Sequence, residues 1–172
     1  MERIIKLVES LTRPGKEEVV KYLKESNFSS IKGGSTHHLY PGGLIDHSLE
    51  VYENMKKKTK GTGISHDSVI ICSIFHDLGK TINFNQHPSR SISILKKCKF
   101  EITEEEKQAI LNHHHVSDED LNSPDNLGTY LKKSDMLSTG EYKAVHAKQT
   151  GNPLKDLFID MYNTALREWA KN

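Results

Sequence analysis

Several features that would place a protein in a special class are scarce in this 172-residue sequence. Its two cysteines, Cys72 and Cys98, are too few for a disulfide framework and fit a reduced protein, so we expect a cytoplasmic location. No apolar run approaches the ~20 residues of a membrane span. Met1–Leu11 mixes charged with apolar residues, so we expect neither an export signal nor a membrane partner.

The sequence also lacks a large net charge of either sign and has few aromatic residues. The 24 Lys and Arg residues balance 23 Asp and Glu residues, which excludes the strongly basic composition of a dedicated nucleic-acid binder. Aromatic residues make up 7% of the chain, too few to predict a stacking platform for bases. Histidine, in contrast, is abundant, because nine of the ten histidines lie between His37 and His115.

The apolar pattern predicts an all-α protein. Apolar residues recur at helical spacing in most segments, and none shows the alternation of a strand. Thr103 and Glu106 have the spacing of a capping box at a helix start, and Val69–Leu78 reads as a buried helix among helical neighbours. Residues 29–43 are rich in glycine and predict a loop, whereas Pro153–Ala170 predicts a last helix. We expect a compact bundle of about seven to nine helices, with residues 1–172 forming one domain.

Polar residues interrupt three of the apolar stripes. His47 shares a helical face with Leu44 and Val51. His76-Asp77 falls inside the most apolar predicted helix, and Asp135 continues a series of leucines at a spacing of four. Each residue alone is compatible with a core group that has a hydrogen-bond partner. Together they would need several separate buried polar networks, whereas one shared metal site accounts for all of them, since imidazole and carboxylate bind divalent transition metals.

Other histidines are placed to join such a site. His87 precedes Pro88 at the start of a predicted helix. His113 and His114 follow Ile110 by three and four residues, so at least one of them should turn inward with it. The remaining histidines outside the glycine-rich loop carry no comparable signal and are interpreted as surface residues: His66, His115 and His146.

The order of these residues resembles the HD superfamily of metal-dependent phosphohydrolases. The resemblance rests on His47, then His76-Asp77 within HDLGK, then the distant Asp135, and it covers about residues 36–140. The lead-in HHLYPGGLIDHS, which ends at Ser48, is similar to HD-type exoribonucleases and related phage and bacterial HD proteins. The GYP motif of cyclic-di-GMP-type members is absent from the sequence.

The resemblance implies an all-α HD-type bundle that holds one or two divalent metals. The family metals include Mn, Fe, Co, Ni, Zn and Mg, and a His-rich donor set makes Mg the least suitable of these. The first metal would be bound by the four motif residues, which are His47, His76, Asp77 and Asp135. A second metal or the substrate phosphate would be lined by His87 and His113, with His114 beside them.

The implied reaction is hydrolysis of a phosphate ester by metal-activated water. Asp77 is expected to act both as a ligand and as the group that orients or deprotonates the water. Lys80, one helical turn after His76, is expected either to meet the developing phosphate charge or to complement the dipole of its helix. His37 and His38 are candidates to contact the phosphate or protonate the leaving group, unless they only shape their loop.

Three functions remain open at this point. The leading one is hydrolysis of a small phosphorylated substrate, most plausibly a nucleotide or nucleoside phosphate. The second is a phosphodiesterase or exonuclease on single-stranded nucleic acid, which the lead-in suggests and the neutral composition disfavours. The third is a non-catalytic sensor that binds a nucleotide, which would not need an open metal position.

Overall fold

The computed structural model describes residues 1–35, 37–114 and 125–139. These ranges contain seven α-helices and no strand, which confirms the all-α prediction; the predicted helix at Pro153–Ala170 lies outside them. The helices are α1 (Glu2–Glu9), α2 (Lys16–Glu25), α3 (Gly43–Lys58), α4 (His66–Phe75), α5 (His87–Lys97), α6 (Glu104–Asn112) and α7 (Leu127–Ser138). Two short 3₁₀-helices complete the set, Asn27–Ser29 and Leu78–Thr81.

Helix α4 is the central element of the fold. Every residue from Val69 to Phe75 is buried, so the helix has no solvent-facing side over its last two turns. It packs against α1, α3, α6 and α7, and α3 also packs along α7. The residues that follow α4 are therefore surrounded by other helices, and a polar group placed there is removed from bulk water.

The end of α4 differs from the sequence prediction. We expected one helix to Leu78 with His76-Asp77 inside it, but the α-helix ends at Phe75, with His76 as its C-cap and a 3₁₀-helix following. The reason is the close approach of α5, whose Ser91 hydroxyl donates to the His76 carbonyl (3.0 Å) and accepts from the Gly79 amide (2.7 Å). These bonds replace those of a continuing helix.

Gly79 allows this approach because it has no side chain. A Cβ at this position would lie 2.1 Å from the carbonyl oxygen of His87, the first residue of α5. Any other residue would push α5 away from the end of α4. The glycine of the HDLGK motif thus fixes the distance between two elements that both carry candidate site residues.

The start of α6 confirms the predicted capping box. The Thr103 hydroxyl accepts from the Glu106 amide (3.1 Å), and the Glu106 carboxylate accepts from the Thr103 amide (2.7 Å). The other oxygen of Glu106 accepts from Arg13 Nη2 (2.9 Å) and from the Ser68 hydroxyl (2.7 Å). This fully buried carboxylate therefore joins α6 to α4 and to the connection between α1 and α2.

No helix in the described part of the chain combines the length and the apolarity that a membrane crossing requires.

Candidate metal centre

Six buried side chains from five helical elements converge at the end of α4. Each is at most 7% exposed, and their nitrogen and oxygen atoms face one another rather than solvent. The six candidates come from five separate stretches of the sequence, and only the folded chain brings these stretches together. The six are His47 of α3, His76 and Asp77 after α4, His87 at the start of α5, His113 at the end of α6, and Asp135 of α7.

The first ligand set consists of His47, His76, Asp77 and Asp135. His47 Nε2 lies 3.2 Å from Asp77 Oδ2 and 3.1 Å from Asp135 Oδ1. His76 Nε2 lies 3.4 Å from Asp77 Oδ2, 3.8 Å from Asp135 Oδ1 and 3.2 Å from His47 Nε2. Ligand atoms about 2.0–2.2 Å from a transition metal stand roughly 3.0–3.5 Å apart, so all of these spacings except that of 3.8 Å between His76 and Asp135 match one shared cation.

The second ligand set consists of Asp77, His87, His113 and His114. Asp77 Oδ1 lies 2.9 Å from His87 Nε2 and 3.7 Å from His113 Nε2. His87 Nε2 in turn lies 3.4 Å from His113 Nε2 and 2.8 Å from His114 Nε2. His113 is the buried member of the pair that follows Ile110, whereas His114 is exposed, so the sequence prediction that one of them turns inward holds.

The four buried histidines have the same orientation, with Nε2 toward the cluster and Nδ1 toward a fixed oxygen. His76 Nδ1 lies 3.0 Å from the Ser73 carbonyl oxygen. The Nδ1 atoms of His87 and His113 each lie 2.7 Å from a carbonyl oxygen. A carbonyl only accepts, so Nδ1 of His76, His87 and His113 carries a proton. In the neutral ring Nε2 then presents its lone pair inward, the tautomer that metal-binding histidines use. The Nδ1 partners are Ser138 Oγ for His47 and the carbonyls of Ser73, Phe84 and Ile110 for His76, His87 and His113.

Asp77 Oδ1 provides the test of whether a metal fits. This oxygen is buried and accepts no hydrogen bond within the described residues, although two imidazole nitrogens lie near it. A buried carboxylate oxygen without a donor is costly, and lone pairs facing it add repulsion. A divalent cation held by oxygen and imidazole nitrogen removes both problems, so the residues of the second set fit a metal. The first set offers the same types of donor atom.

Protonation also favours metal binding over most of the cluster. Burial raises the pKa of Asp77, but His76 and the Lys80 ammonium outweigh this and hold the pKa well below the usual range for a carboxyl. The pKa of Asp135 is likewise lowered, because its hydrogen bond with His47 and the charge of that residue outweigh burial. Both carboxylates are therefore ionised at neutral pH, which is the ligand form.

The histidines divide into two kinds. Burial lowers the pKa of His76. Although His114 is exposed as a residue, its ring is partly buried against His87, and this burial together with the charge of His113 lowers its pKa to about 3, so both rings are neutral. Burial also opposes protonation of His47, but its hydrogen bonds with Asp135 and Asp77 prevail and raise the pKa to about 9. In the metal-free protein His47 thus carries the proton that a cation would replace.

Lys80 has two partners that the sequence did not indicate. We expected it to face a substrate phosphate or to complement a helix dipole, but its side chain is buried and its ammonium donates to Asp77 Oδ2 (2.5 Å) and to the Gly33 carbonyl (2.5 Å). The 3₁₀-turn causes this, because it directs Lys80 back onto Asp77, three residues earlier.

The predicted glycine-rich loop before α3 places His37 and His38 beside the first ligand set. The His37 ring centroid lies 4.8 Å from that of His47, and the His38 ring 5.5 Å from it. The two Nδ1 atoms lie 2.9 Å apart, and His38 Nε2 lies 3.2 Å from a carboxylate oxygen of Glu50. A Cβ on Gly34 would lie 2.1 Å from His37 Nε2, so the ring folds back over a position that only glycine permits.

Sequence reasoning missed the residues that orient the ligands. Ser138 follows Asp135 by three residues and Leu131 by seven, so extending the same helical stripe would have found it. The carbonyl partners and Glu50 carry no such signal. Among the histidines predicted at the surface, His66 is exposed, as expected, with its Nε2 3.0 Å from the Tyr52 hydroxyl. His115 and His146 lie outside the described residues.

Comparison with known families agrees with this geometry. The family model described as the HD domain matches residues 44–140, more than half of the chain and a range that contains all six buried candidates. The chain belongs to the HD domain family. Comparison with curated proteins and with solved structures gave no match.

Membership of the HD domain family indicates the general chemistry of this protein. HD domains are generally metal-dependent phosphohydrolases that bind divalent metals, and the buried His and Asp groups described above are able to hold such ions. The identity of the substrate and the metal does not follow from membership. Those choices depend on the details of the site.

Proposed function

We propose that this protein is a metal-dependent phosphohydrolase that cleaves phosphate esters of nucleotides or similar small phosphorylated substrates by metal-activated water. The observation that carries the proposal is the carboxylate of Asp77, whose two oxygens face different ligand sets. A carboxylate shared in this way is suited to hold two cations a few ångströms apart, the arrangement that favours in-line displacement at phosphorus.

The residues have separate roles in this proposal. The first cation would be held by the four residues of the first ligand set, which are His47, His76, Asp77 and Asp135. A second cation would be held by His87 and His113 together with Asp77 Oδ1. Nitrogen-rich donor sets favour Mn, Fe, Co, Ni or Zn over Mg. Such cations supply a water nucleophile at neutral pH and a Lewis acid for the phosphoryl oxygen.

Two histidines complete the substrate side of the proposal. His37 lies over His47, at the edge of the first ligand set, and His114 lies against His87, at the edge of the second. Imidazole groups at these positions are placed to donate hydrogen bonds to phosphoryl oxygens, and His38 supports His37 through the Nδ1 contact.

The nucleotide assignment depends on what lies next to the site. Leu39 and Tyr40 follow His38 directly and are 59% and 48% exposed, and the Tyr40 ring centroid lies 6.2 Å from that of His38. Such side chains beside a metal centre provide a surface for a base or a sugar, while the metals attract the phosphate. The near-neutral chain disfavours a long polyanion, although bound cations make the site itself positive.

Activity assays with defined metals test the proposal. The purified protein, stripped of metal and reloaded with Mn²⁺, Co²⁺, Ni²⁺ or Mg²⁺, is offered ribonucleotides, deoxynucleotides, cyclic dinucleotides and labelled single strands. Release of phosphate or nucleoside from mononucleotides with a transition metal is the expected result. Shortening of strands instead would support an exonuclease, and tight nucleotide binding without turnover under any metal would refute the proposal in favour of a sensor.

A further inference from the structure

The Lys80 ammonium is enclosed by three different groups. It donates to the Asp77 carboxylate and to the Gly33 carbonyl, and it lies 5.8 Å from the centre of the Phe84 ring. A carboxylate, a carbonyl and an aromatic face are the partners that stabilise a buried cation. The lysine that follows the His-Asp pair is thus held within the protein rather than extended toward a ligand in solvent.

The contact with Asp77 fixes how that carboxylate is turned. Lys80 binds Oδ2, the oxygen that faces His47 and His76, which leaves Oδ1 facing His87. The last torsion of an aspartate side chain is broad and roughly two-fold, so a carboxylate without such a partner would rotate more freely. Sharing one carboxylate between two cations requires the rotation to be fixed.

The contact with Gly33 connects the same ammonium to the loop that carries His37 and His38. The Gly33 amide donates to the His38 carbonyl (2.9 Å), while its own carbonyl accepts from Lys80. The fit is tight, because a Cβ on Gly33 would lie 2.7 Å from the Cβ of His38. One ammonium group therefore connects the shared carboxylate to the two loop histidines through a single residue.

We propose that Lys80 is a positioning residue that sets the rotation of Asp77 and anchors the His37–His38 loop to the metal centre, and that it does not bind the substrate phosphate. The claim that Lys80 sets the rotation of Asp77 for metal binding rests on the proposed function. The claim that Lys80 anchors the loop does not, so each claim can fail without the other. Loss of Lys80 should loosen the loop in metal-free protein and alter the coordination in loaded protein.

The test compares Lys80→Met with Lys32→Met. Lys32 is the matched control, because its ammonium also lies over Phe84, at 5.7 Å, but it is exposed and forms no ion pair with Asp77. Amide hydrogen exchange of Gly33 and Gly43 is measured on metal-free protein, since both amides are hydrogen-bonded in this loop. The visible spectrum and affinity of Co²⁺ are measured on loaded protein, followed by kcat and KM.

The expected result is distinct for the two variants. Lys80→Met should speed exchange of the Gly33 amide by about tenfold or more, change the Co²⁺ spectrum, weaken Co²⁺ binding by about 10–100-fold and lower kcat with little change in KM. Lys32→Met should match the wild type in exchange and spectrum. Lys80→Arg should restore part of the exchange protection, and it decides the loop claim if Lys80→Met does not fold.

Wild-type exchange and spectrum in Lys80→Met, combined with a raised KM, would overturn the proposal and return Lys80 to phosphate binding. Faster exchange in Lys80→Met, together with a wild-type protein that binds no Co²⁺, would uphold the anchoring of the loop and refute the metal-dependent function instead. If Lys80→Met has the wild-type Co²⁺ spectrum and yet exchanges its Gly33 amide faster, the claim that Lys80 sets the rotation of Asp77 is overturned.

Discussion

His87 Nε2 lies 2.9 Å from Asp77 Oδ1, and with a neutral imidazole ring neither atom supplies a hydrogen to the other. The His87 Nδ1 proton is committed to the Phe84 carbonyl, at 2.7 Å. Two buried atoms that present lone pairs to each other are stable only with a positive charge between or beside them. This contact is the most direct sign that the cluster is built for a cation.

Replacing the shared carboxylate should abolish metal binding. Asp77→Ala is expected to lose bound metal and hydrolytic activity together, because both ligand sets lose their only common group. Metal content by elemental analysis and turnover of a mononucleotide check this. His66→Ala removes an exposed histidine outside both sets and should retain both properties. An active, metal-loaded Asp77→Ala variant would mean that the site is wrongly assigned.

The second ligand set should determine how many metal ions each chain binds. His87→Ala is expected to lower the metal content from two ions to one per chain, since the first set does not include His87. Elemental analysis after loading with excess Mn²⁺ and gel filtration measures the ratio. If the wild type and His87→Ala each bind one ion, the second set is a substrate phosphate site rather than a metal site.

The orientation of His47 depends on Ser138. Ser138→Ala removes the oxygen 2.7 Å from His47 Nδ1 and should weaken metal binding by about 10–100-fold while leaving the fold intact. Ser93→Ala is the control, because Ser93 is an exposed helix serine whose hydroxyl donates to the Ser89 carbonyl (2.9 Å), away from both ligand sets. Competition with a chelating dye gives both affinities, and equal values would show that the hydroxyl has no orienting role.

Metal binding should release a proton whose amount depends on pH. With a pKa of about 9, His47 is protonated in the metal-free protein at pH 7 and must lose that proton to bind a cation. Besides the proton lost by metal-bound water, we expect His47 to contribute about one proton at pH 7 and almost none at pH 10. Calorimetry in buffers of different ionisation enthalpy measures the release, and a value near zero at pH 7 would contradict it.

The buried Glu106 carboxylate should contribute to stability and not to catalysis. Glu106→Ala removes a buried partner of Arg13 and Ser68 and is expected to cost about 1–3 kcal/mol in the free energy of unfolding. Glu105→Ala, one position earlier and exposed, should change stability by less than about 0.5 kcal/mol. Urea denaturation of metal-free protein compares the two. Similar values for both variants would disprove the role of the buried pair.

The fold and the candidate ligands could be read from the sequence because both depend on periodicity. His47 and Asp135 stand on apolar stripes, so their helices predict which way their side chains point. The capping box at Thr103 depends on two residues three apart, and it too is local. Such features need no knowledge of how distant segments meet.

Two of the features that escaped prediction depend on contacts between distant segments. The α-helix stops at Phe75 because Ser91, sixteen residues later, satisfies the backbone there. Lys80 turns toward Asp77 because of that 3₁₀-turn, and it reaches the carbonyl of Gly33 across the fold. Neither contact leaves a pattern in the residues around it, so the lysine could only be given the generic roles of phosphate ligand or helix cap.

The distribution of the six candidates along the chain has a consequence for folding itself. His47 and Asp135 lie in helices that are far apart in sequence, and the site exists only when α3 and α7 are packed together. An ion bound there would act as a cross-link that the unfolded chain cannot hold, adding about 2.7 kcal/mol at a free concentration of 100 times Kd. The supply of metal would then govern how long the protein survives, as well as whether it is active.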